Sequence, residues 1–187
     1  DKTGYLRIET FSNTTYKQFK ESLETLEKDG IENLIVDVRN NGGGFLNSAV
    51  EIAELFVEKG KPIYGLQTKD KKEMYKDTTK EKRDYKVIVL INGGSASASE
   101  VLAAALKESY GATLLGTKSY GKGTVQDTSE LESGGMIKYT TAYWLTPKGV
   151  TINEKGLTPD IEVTGSFKDE MTLENDVELQ TAINNLK

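Results

Sequence analysis

Residues 85–94, with the sequence YKVIVLINGG, carry the strongest strand signal in the chain. The aliphatic run that ends at Ile91 predicts a buried strand, and the Asn-Gly-Gly at 92–94 breaks it. An alanine-rich segment from about 98 to 109 then predicts a helix. A strand that passes through a glycine turn into a helix is typical of an α/β fold.

The rest of the chain repeats this alternation of strands and helices. Further strands are predicted at 4–11, 34–38, 62–66, 113–116, 123–126 and 136–145, the last two as a hairpin around 133–135. Further helices are predicted at 16–29, 47–59 and 172–186. Residues 69–84 are rich in charge and almost free of aliphatic side chains, which predicts a solvated connection. The alternation predicts one α/β domain over residues 1–187.

The composition excludes several kinds of chemistry. The 187 residues include no cysteine and no histidine, which rules out disulfides, thiol catalysis and the Ser-His-Asp triad. We expect neither a cofactor nor a bound metal. The net charge of −5 provides no basic surplus for a nucleic-acid partner. No apolar run approaches the ~18 residues of a membrane-spanning helix.

The segment that follows the strand at 85–91 contains alternating serines, from Ser95 to Ser99. One interpretation is structural, because Ser97 and Glu100 have the S-x-x-E spacing of a helix capping box. The other is catalytic, since a serine at a helix N-terminus lies where free N–H groups stabilise negative charge. The pattern is not the G-x-S-x-G nucleophile elbow.

A second glycine-bearing segment covers residues 116–124, with the sequence GTKSYGKGT. It nearly matches a phosphate-binding loop, but Gly123 stands where that motif needs Ser or Thr, and a strand rather than a helix is predicted to follow. The spacing from Ser119 to Lys122 is S-x-x-K, although glycines on both sides of Lys122 oppose the helical turn that motif needs. Flanking glycines also allow the main chain to pass close to another segment.

The third segment is residues 40–44, NNGGG, directly after the strand at 34–38. Consecutive glycines can turn several N–H groups toward one point, although a flexible turn is the simpler interpretation. Without histidine, lysine is the remaining base for a serine nucleophile, and burial in an apolar pocket favours its neutral form. A hydroxyl, a buried amine and a set of N–H donors together suit acyl transfer.

Six motifs identify a resemblance to a known family. In chain order they are GYLRI at 4–8, DVRNNGGG at 37–44, GSASASE at 94–100, YGKGTVQ at 120–126, TAYWLTP at 141–147 and GLTPD at 156–160. Together they resemble the catalytic domain of the C-terminal processing proteases, also called tail-specific proteases, which are Ser–Lys peptidases. The resemblance covers a core of about residues 4–163, with the helical segment at 172–186 beyond it.

The resemblance implies a role for each of three side chains. Ser97 corresponds to the nucleophile, Lys122 to the general base, and Gln126 to the residue that holds the lysine in place. Lys122 and Gln126 are four residues apart, so on a strand they would point to the same face.

The resemblance also implies an oxyanion hole made of backbone N–H groups. The donors would be Ala98 and one glycine of the triplet, with Gly43 preferred over Gly44. Gly42 stands where many members of the family have proline. This is a mild departure, which removes no donor.

Further expectations come from the resemblance alone. It implies a mixed-sheet α/β domain of the protease/crotonase-like type with flanking helices, and an endopeptidase that acts near the C-termini of protein substrates. It implies a PDZ domain in the full-length protein and a location outside the cytoplasm. A non-catalytic peptide-binding module that retains an inactive pocket is the alternative, because it would share every motif.

Overall fold

The computed structural model describes residues 2–165 and 172–187, which form nine strands and four α-helices. The strands are β1 (Thr3–Arg7), β2 (Asn33–Asp37), β3 (Pro62–Gln67), β4 (Lys72–Lys76), β5 (Lys86–Ile91), β6 (Thr113–Gly116), β7 (Thr124–Glu130), β8 (Met136–Leu145) and β9 (Ile161–Glu162). The helices are α1 (Thr15–Lys28), α2 (Leu46–Glu54), α3 (Ala98–Ala105) and α4 (Val177–Leu186). A π-helical turn, Leu106–Tyr110, continues α3.

A parallel sheet with the strand order β1-β2-β5-β6-β9 forms the centre of the fold. Its inner strands β2 and β5 are buried on both faces, which explains their continuous aliphatic runs. Helices α1, α2 and α3 cover one face, where Leu34 and Val36 of β2 lie. Helix α4 covers the other face and packs Ala182 and Leu186 against the layer that contains Ile35. The α/β class is confirmed.

A second sheet is antiparallel, with the order β4-β3-β8-β7. The hairpin of β7 and β8 turns through residues 131–135, as predicted. The mixed character of the fold therefore comes from two sheets, one parallel and one antiparallel.

The prediction of a solvated connection at 69–84 is wrong for β4. This edge strand pairs with β3, and Tyr75 stacks on Tyr64 with ring centroids 4.6 Å apart. Exposed edge strands often carry lysine and glutamate, which discourage pairing with other chains. The sequence KEMYK of β4 therefore has the composition of a loop.

Other differences concern where elements begin and end. Helix α2 ends at Glu54 rather than near 59, and α4 begins at Val177 rather than 172. The short strand β9 was not predicted, because two residues give no periodicity. The predicted end of α1 is confirmed, since Gly30 follows it with a φ of 79°. In the described ranges, 2–165 and 172–187, we find no helix with the length and apolar character needed to cross a bilayer.

The packing of α3 on the parallel sheet predicts a difference between two leucines. Leu102 is fully buried in α3, whereas Leu131 at the tip of the hairpin is 46% exposed. Leu102→Ala should lower the free energy of unfolding by about 2–5 kcal/mol, because it leaves a cavity. Leu131→Ala should change it by less than about 0.5 kcal/mol. Urea denaturation measures both, and equal losses would contradict the packing described.

Candidate active site

Ser97 lies between the turn after β5 and the first residue of α3, in a strained conformation. Its φ is 55° and its ψ is −116°, a region that residues other than glycine rarely occupy. The turn is held on the residues that follow β2. Ser95 donates its hydroxyl to the Val38 carbonyl at 2.8 Å, and the Ala96 N–H donates to the Asn41 carbonyl at 3.0 Å. The strain therefore persists because the surroundings fix the backbone on both sides.

Glu100 has the capping contact that the S-x-x-E spacing predicts, and three more. Its Oε2 accepts the Ser97 N–H at 3.0 Å, which is the return half of a capping box. The same oxygen accepts the Lys122 N–H at 3.0 Å. Its Oε1 accepts the Ser119 hydroxyl at 2.5 Å and the Gly121 N–H at 2.7 Å. Glu100 is fully buried. Its carboxylate thus joins the turn at 92–97, which carries Ser97 (the serine turn), to the loop at 117–123, which carries Lys122 (the lysine loop).

The loop at 117–123 is packed tightly against the segment at 153–157. A side chain at Gly121 would lie 2.8 Å from the Gly156 nitrogen, and one at Gly123 would lie 2.4 Å from the Asn153 nitrogen. The glycines beside Lys122 therefore allow close backbone approach, as predicted. Strand β7 follows this loop, so the helix that a phosphate-binding loop requires is not there.

The Lys122 side chain is exposed, so the prediction of a buried amine is wrong for this conformation. The flanking Gly121 and Gly123 are buried, whereas Lys122 itself is exposed. Among the residues that the structure describes, no hydrogen bond joins the Lys122 amine to the Ser97 hydroxyl. The backbone N–H groups of Ser97 and Lys122 nevertheless both donate to Glu100 Oε2. Each backbone nitrogen is 3.0 Å from that oxygen, so the two nitrogens are at most twice this distance apart.

Gln126 is exposed and lies on β7. Because β7 begins at Thr124, Lys122 precedes the strand, and strand alternation does not relate its side chain to Gln126. The geometric reason for pairing them is therefore wrong, while the role of Gln126 stays a prediction.

The two glycines proposed for the oxyanion hole lie in different surroundings. A side chain at Gly43 would lie 2.8 Å from Ser97 Cβ and 3.1 Å from the Ala98 nitrogen, so Gly43 packs directly on the serine turn. A side chain at Gly44 would instead collide with the Phe11 carbonyl. The Gly43 N–H donates to Asn41 Oδ1 at 2.9 Å and is occupied in this conformation. Ala98 is buried at the first position of α3, where helix N–H groups have no intrahelical partner.

Two asparagine side chains hold the segment at 40–44 (the glycine loop), and neither was assigned a role from the sequence. The fully buried Asn41 donates its amide to the Ile8 carbonyl at 2.8 Å. Asn92 Oδ1 accepts the N–H groups of Asn40 and Gly94, both at 2.9 Å. The signal available in the sequence was their position in the loops that follow buried strands, where short polar side chains commonly bond to nearby backbone.

The sequence model of Peptidase family S41 matches residues 2–163. The chain belongs to peptidase family S41. The resemblance to the C-terminal processing proteases is thereby confirmed. A probable CtpA-like serine protease of Staphylococcus aureus (strain N315) is 41% identical over 165 residues, which is 87% of this chain and 33% of the relative. One from Staphylococcus saprophyticus is 42% identical over 163 residues, 86% of this chain and 33% of that relative.

Solved structures share the fold of this chain. The photosystem II D1 C-terminal processing protease superposes with a TM-score of 0.82 and 34% identity, over 87% of this chain and 42% of that one. A putative peptidase from Parabacteroides merdae shares the fold, with a TM-score of 0.78 and 22% identity over 100% of this chain and 61% of that one. The S41 chain described here spans about one third of the length of the curated relatives it matches.

The tight contact between Gly43 and Ser97 predicts unequal effects at two neighbouring glycines. Gly43→Ala should lower the free energy of unfolding by at least about 1–3 kcal/mol, since its φ is 103° and Ser97 occupies the space. Gly42→Ala should change stability by no more than about 1 kcal/mol, because nothing lies within 4 Å of the added carbon. Thermal unfolding compares them, and a destabilised Gly42→Ala beside a stable Gly43→Ala would contradict the contact.

Proposed function

We propose that the protein is a serine endopeptidase that cleaves protein substrates near their C-termini, through a Ser–Lys dyad and an acyl-enzyme. The observation that carries the proposal is the buried Glu100 carboxylate, which binds the N–H groups of both Ser97 and Lys122 at 3.0 Å. It holds the two main chains of the proposed dyad together. Membership of family S41 and the printed names of its relatives, serine proteases and a C-terminal processing protease, support the reaction type.

Ser97 is the proposed nucleophile. Its strained backbone at the start of α3 presents the hydroxyl where the helix N-terminus favours developing negative charge. Attack on a peptide carbonyl would form a bond from Ser97 Oγ to the carbonyl carbon and leave an oxyanion. The Ala98 N–H, at the first position of α3, would stabilise that oxyanion.

The second oxyanion donor in this proposal is the Gly43 N–H. It now donates to Asn41 Oδ1, so it would have to leave this acceptor to face the substrate. Gly43 already has the required position, since it packs on Ser97 and Ala98. A rotation of one glycine peptide, which glycine tolerates at low cost, would complete the oxyanion hole.

Lys122 is the proposed general base. A substrate that covers the serine turn would also cover the exposed amine, and loss of water there favours the neutral form that accepts the Ser97 proton. Lys122 would then protonate the leaving amine and activate the water that hydrolyses the acyl-enzyme. Gln126, also exposed near the start of β7, would orient the lysine.

The substrate segment would pair with an exposed strand edge through its backbone, a mode that tolerates many sequences. Strand β7 is at the edge of the antiparallel sheet and directly follows the lysine loop. We further propose that the full-length protein contains a PDZ domain for substrate C-termini and acts outside the cytoplasm. The net charge of −5 disfavours a nucleic-acid partner.

A second candidate function is a non-catalytic peptide-binding module with an inactive protease pocket. Two observations favour it: the Lys122 amine is exposed, and the Gly43 N–H is occupied by Asn41. Reaction with a fluorophosphonate probe separates the candidates, because only an activated serine is phosphonylated rapidly. Rapid labelling at Ser97 supports the peptidase, and its absence supports the binding module.

The dyad predicts the effects of three substitutions on peptide hydrolysis. Ser97→Ala and Lys122→Ala should each lower kcat/KM by at least ~10³-fold, because the two groups act as a unit. Lys118→Ala is the matched control, since Lys118 is an exposed lysine of the same loop. It should retain activity within about twofold. Steady-state hydrolysis of a peptide with a free C-terminus measures all three.

Protein stability serves as the check on these variants. Lys122 and Lys118 are both exposed, so either substitution should change the free energy of unfolding by less than about 0.5 kcal/mol. An active Lys122→Ala, or an inactive Lys118→Ala of normal stability, would refute the assignment of the base.

A further inference from the structure

Arg39 lies between β2 and the glycine loop, and among the residues that the structure describes its guanidinium binds the carboxylates of Asp37, Asp176 and Glu178. The side chain is 2% exposed, and those of Asp37, Asp176 and Glu178 are 1%, 4% and 5% exposed. Asp37 ends β2, whereas Asp176 and Glu178 belong to the start of α4. The cluster therefore joins the strand that leads into the active site to the C-terminal helix.

The contacts use every N–H of the guanidinium. Nε donates to Asp37 at 3.0 Å, and Nη2 donates to Asp37 at 2.6 Å and to Asp176 at 2.7 Å. Nη1 donates to Asp176 at 2.9 Å and to Glu178 at 2.6 Å. Five donors in a rigid plane define one orientation of the arginine. Tyr5 adds a hydrogen bond to Asp37 Oδ2 at 2.8 Å from the neighbouring strand.

The carboxylates of α4 are themselves fixed. Asp176 caps the helix, since its Oδ1 accepts the Leu179 N–H at 2.9 Å. Burial alone would raise the pKa of Asp176, but the hydrogen bonds from Arg39 and from the helix N–H groups outweigh it and lower the pKa. The apolar side of α4 is packed on the parallel sheet through Ala182 and Leu186. Arg39 is thus held by a helix that cannot slide without losing buried contacts.

The two residues that follow Arg39 connect it to the serine turn through hydrogen bonds. Asn40 turns the chain with a φ of 56°, and Asn41 binds the serine turn by accepting the Ala96 N–H and the Ser99 hydroxyl. The Asn41 side chain holds the Gly43 N–H. A shift of the Arg39 backbone would therefore move the segment that packs on Ser97.

We propose that Asp176 and Glu178 are positioning residues for catalysis, which hold the glycine loop against Ser97 through Arg39. The proposal rests on the peptidase function proposed above. Buried ion clusters contribute little net stability, because desolvation offsets their attraction, whereas their directional bonds fix geometry. Both residues lie beyond residues 2–163, so the loop is positioned from outside the segment that the family model matches.

The test compares three isosteric substitutions in the whole chain. Asp176→Asn and Glu178→Gln remove the charge and keep the shape, and asparagine still caps the helix. Glu174→Gln is the matched control, because Glu174 is exposed just before α4. We measure hydrogen exchange of the backbone at residues 40–44 and the rate of fluorophosphonate labelling at Ser97, both far below the unfolding temperature.

The cluster variants should exchange at least 10-fold faster at residues 40–44, with α1 unchanged, and should label Ser97 at least 10-fold more slowly. The control should match the native protein in both. Leu23→Ala, at a fully buried leucine of α1 on the opposite face of the parallel sheet, reports general destabilisation: it should lower the unfolding temperature and leave exchange at 40–44 within twofold.

Unchanged exchange at 40–44 in both cluster variants would overturn the proposal, as would faster exchange with unchanged labelling. An equal effect of Leu23→Ala would also overturn it, since the effect would then be loss of stability. If the native chain does not label at Ser97, the peptidase function fails instead. Exchange at 40–44 then decides alone whether α4 holds the loop.

Discussion

The buried carboxylate of Glu100 is the contact on which the candidate active site depends. Its two oxygens accept four hydrogen bonds. One comes from the Ser97 N–H in the serine turn, and three come from Ser119, Gly121 and Lys122 in the lysine loop. Desolvating a carboxylate costs several kcal/mol, so it is tolerated only where such bonds offset the cost. Three of these donors lie 19 to 22 residues beyond Glu100 in sequence, so the bonds join the serine turn to the lysine loop.

The parallel sheet makes this contact possible. Its strands β2, β5 and β6 end at one edge, and each continues into a glycine-bearing loop that carries a proposed site residue. Aliphatic side chains bury both faces of the sheet and hold these ends rigidly, which supports the strained backbone of Ser97. The proposed chemistry needs the loops after β2, β5 and β6 in fixed relative positions, and these positions depend on the packing of the sheet.

Much of this could be predicted from local patterns, because buried strands, capping residues and glycine turns have short-range signals. The strand at 85–91, the hairpin at 133–135 and the end of α1 follow from such signals. Three features could not be predicted, because they depend on tertiary contacts: the four donors on Glu100, the Asn41 contact to Gly43, and the exposure of the Lys122 amine. The S-x-x-E spacing indicated one bond of Glu100 and could not indicate the partners from the lysine loop.

Replacement of Glu100 by its neutral isostere tests the central contact most directly. In Glu100→Gln an NH2 group faces N–H and O–H donors, and each donor left unpaired should cost about 1–3 kcal/mol of unfolding free energy. Phosphonylation of Ser97 at a temperature where the variant is folded should be at least 10-fold slower. Glu51→Gln, at an exposed glutamate of α2, is the control and should change neither value. Native-like stability and labelling in Glu100→Gln would contradict the role given to this carboxylate.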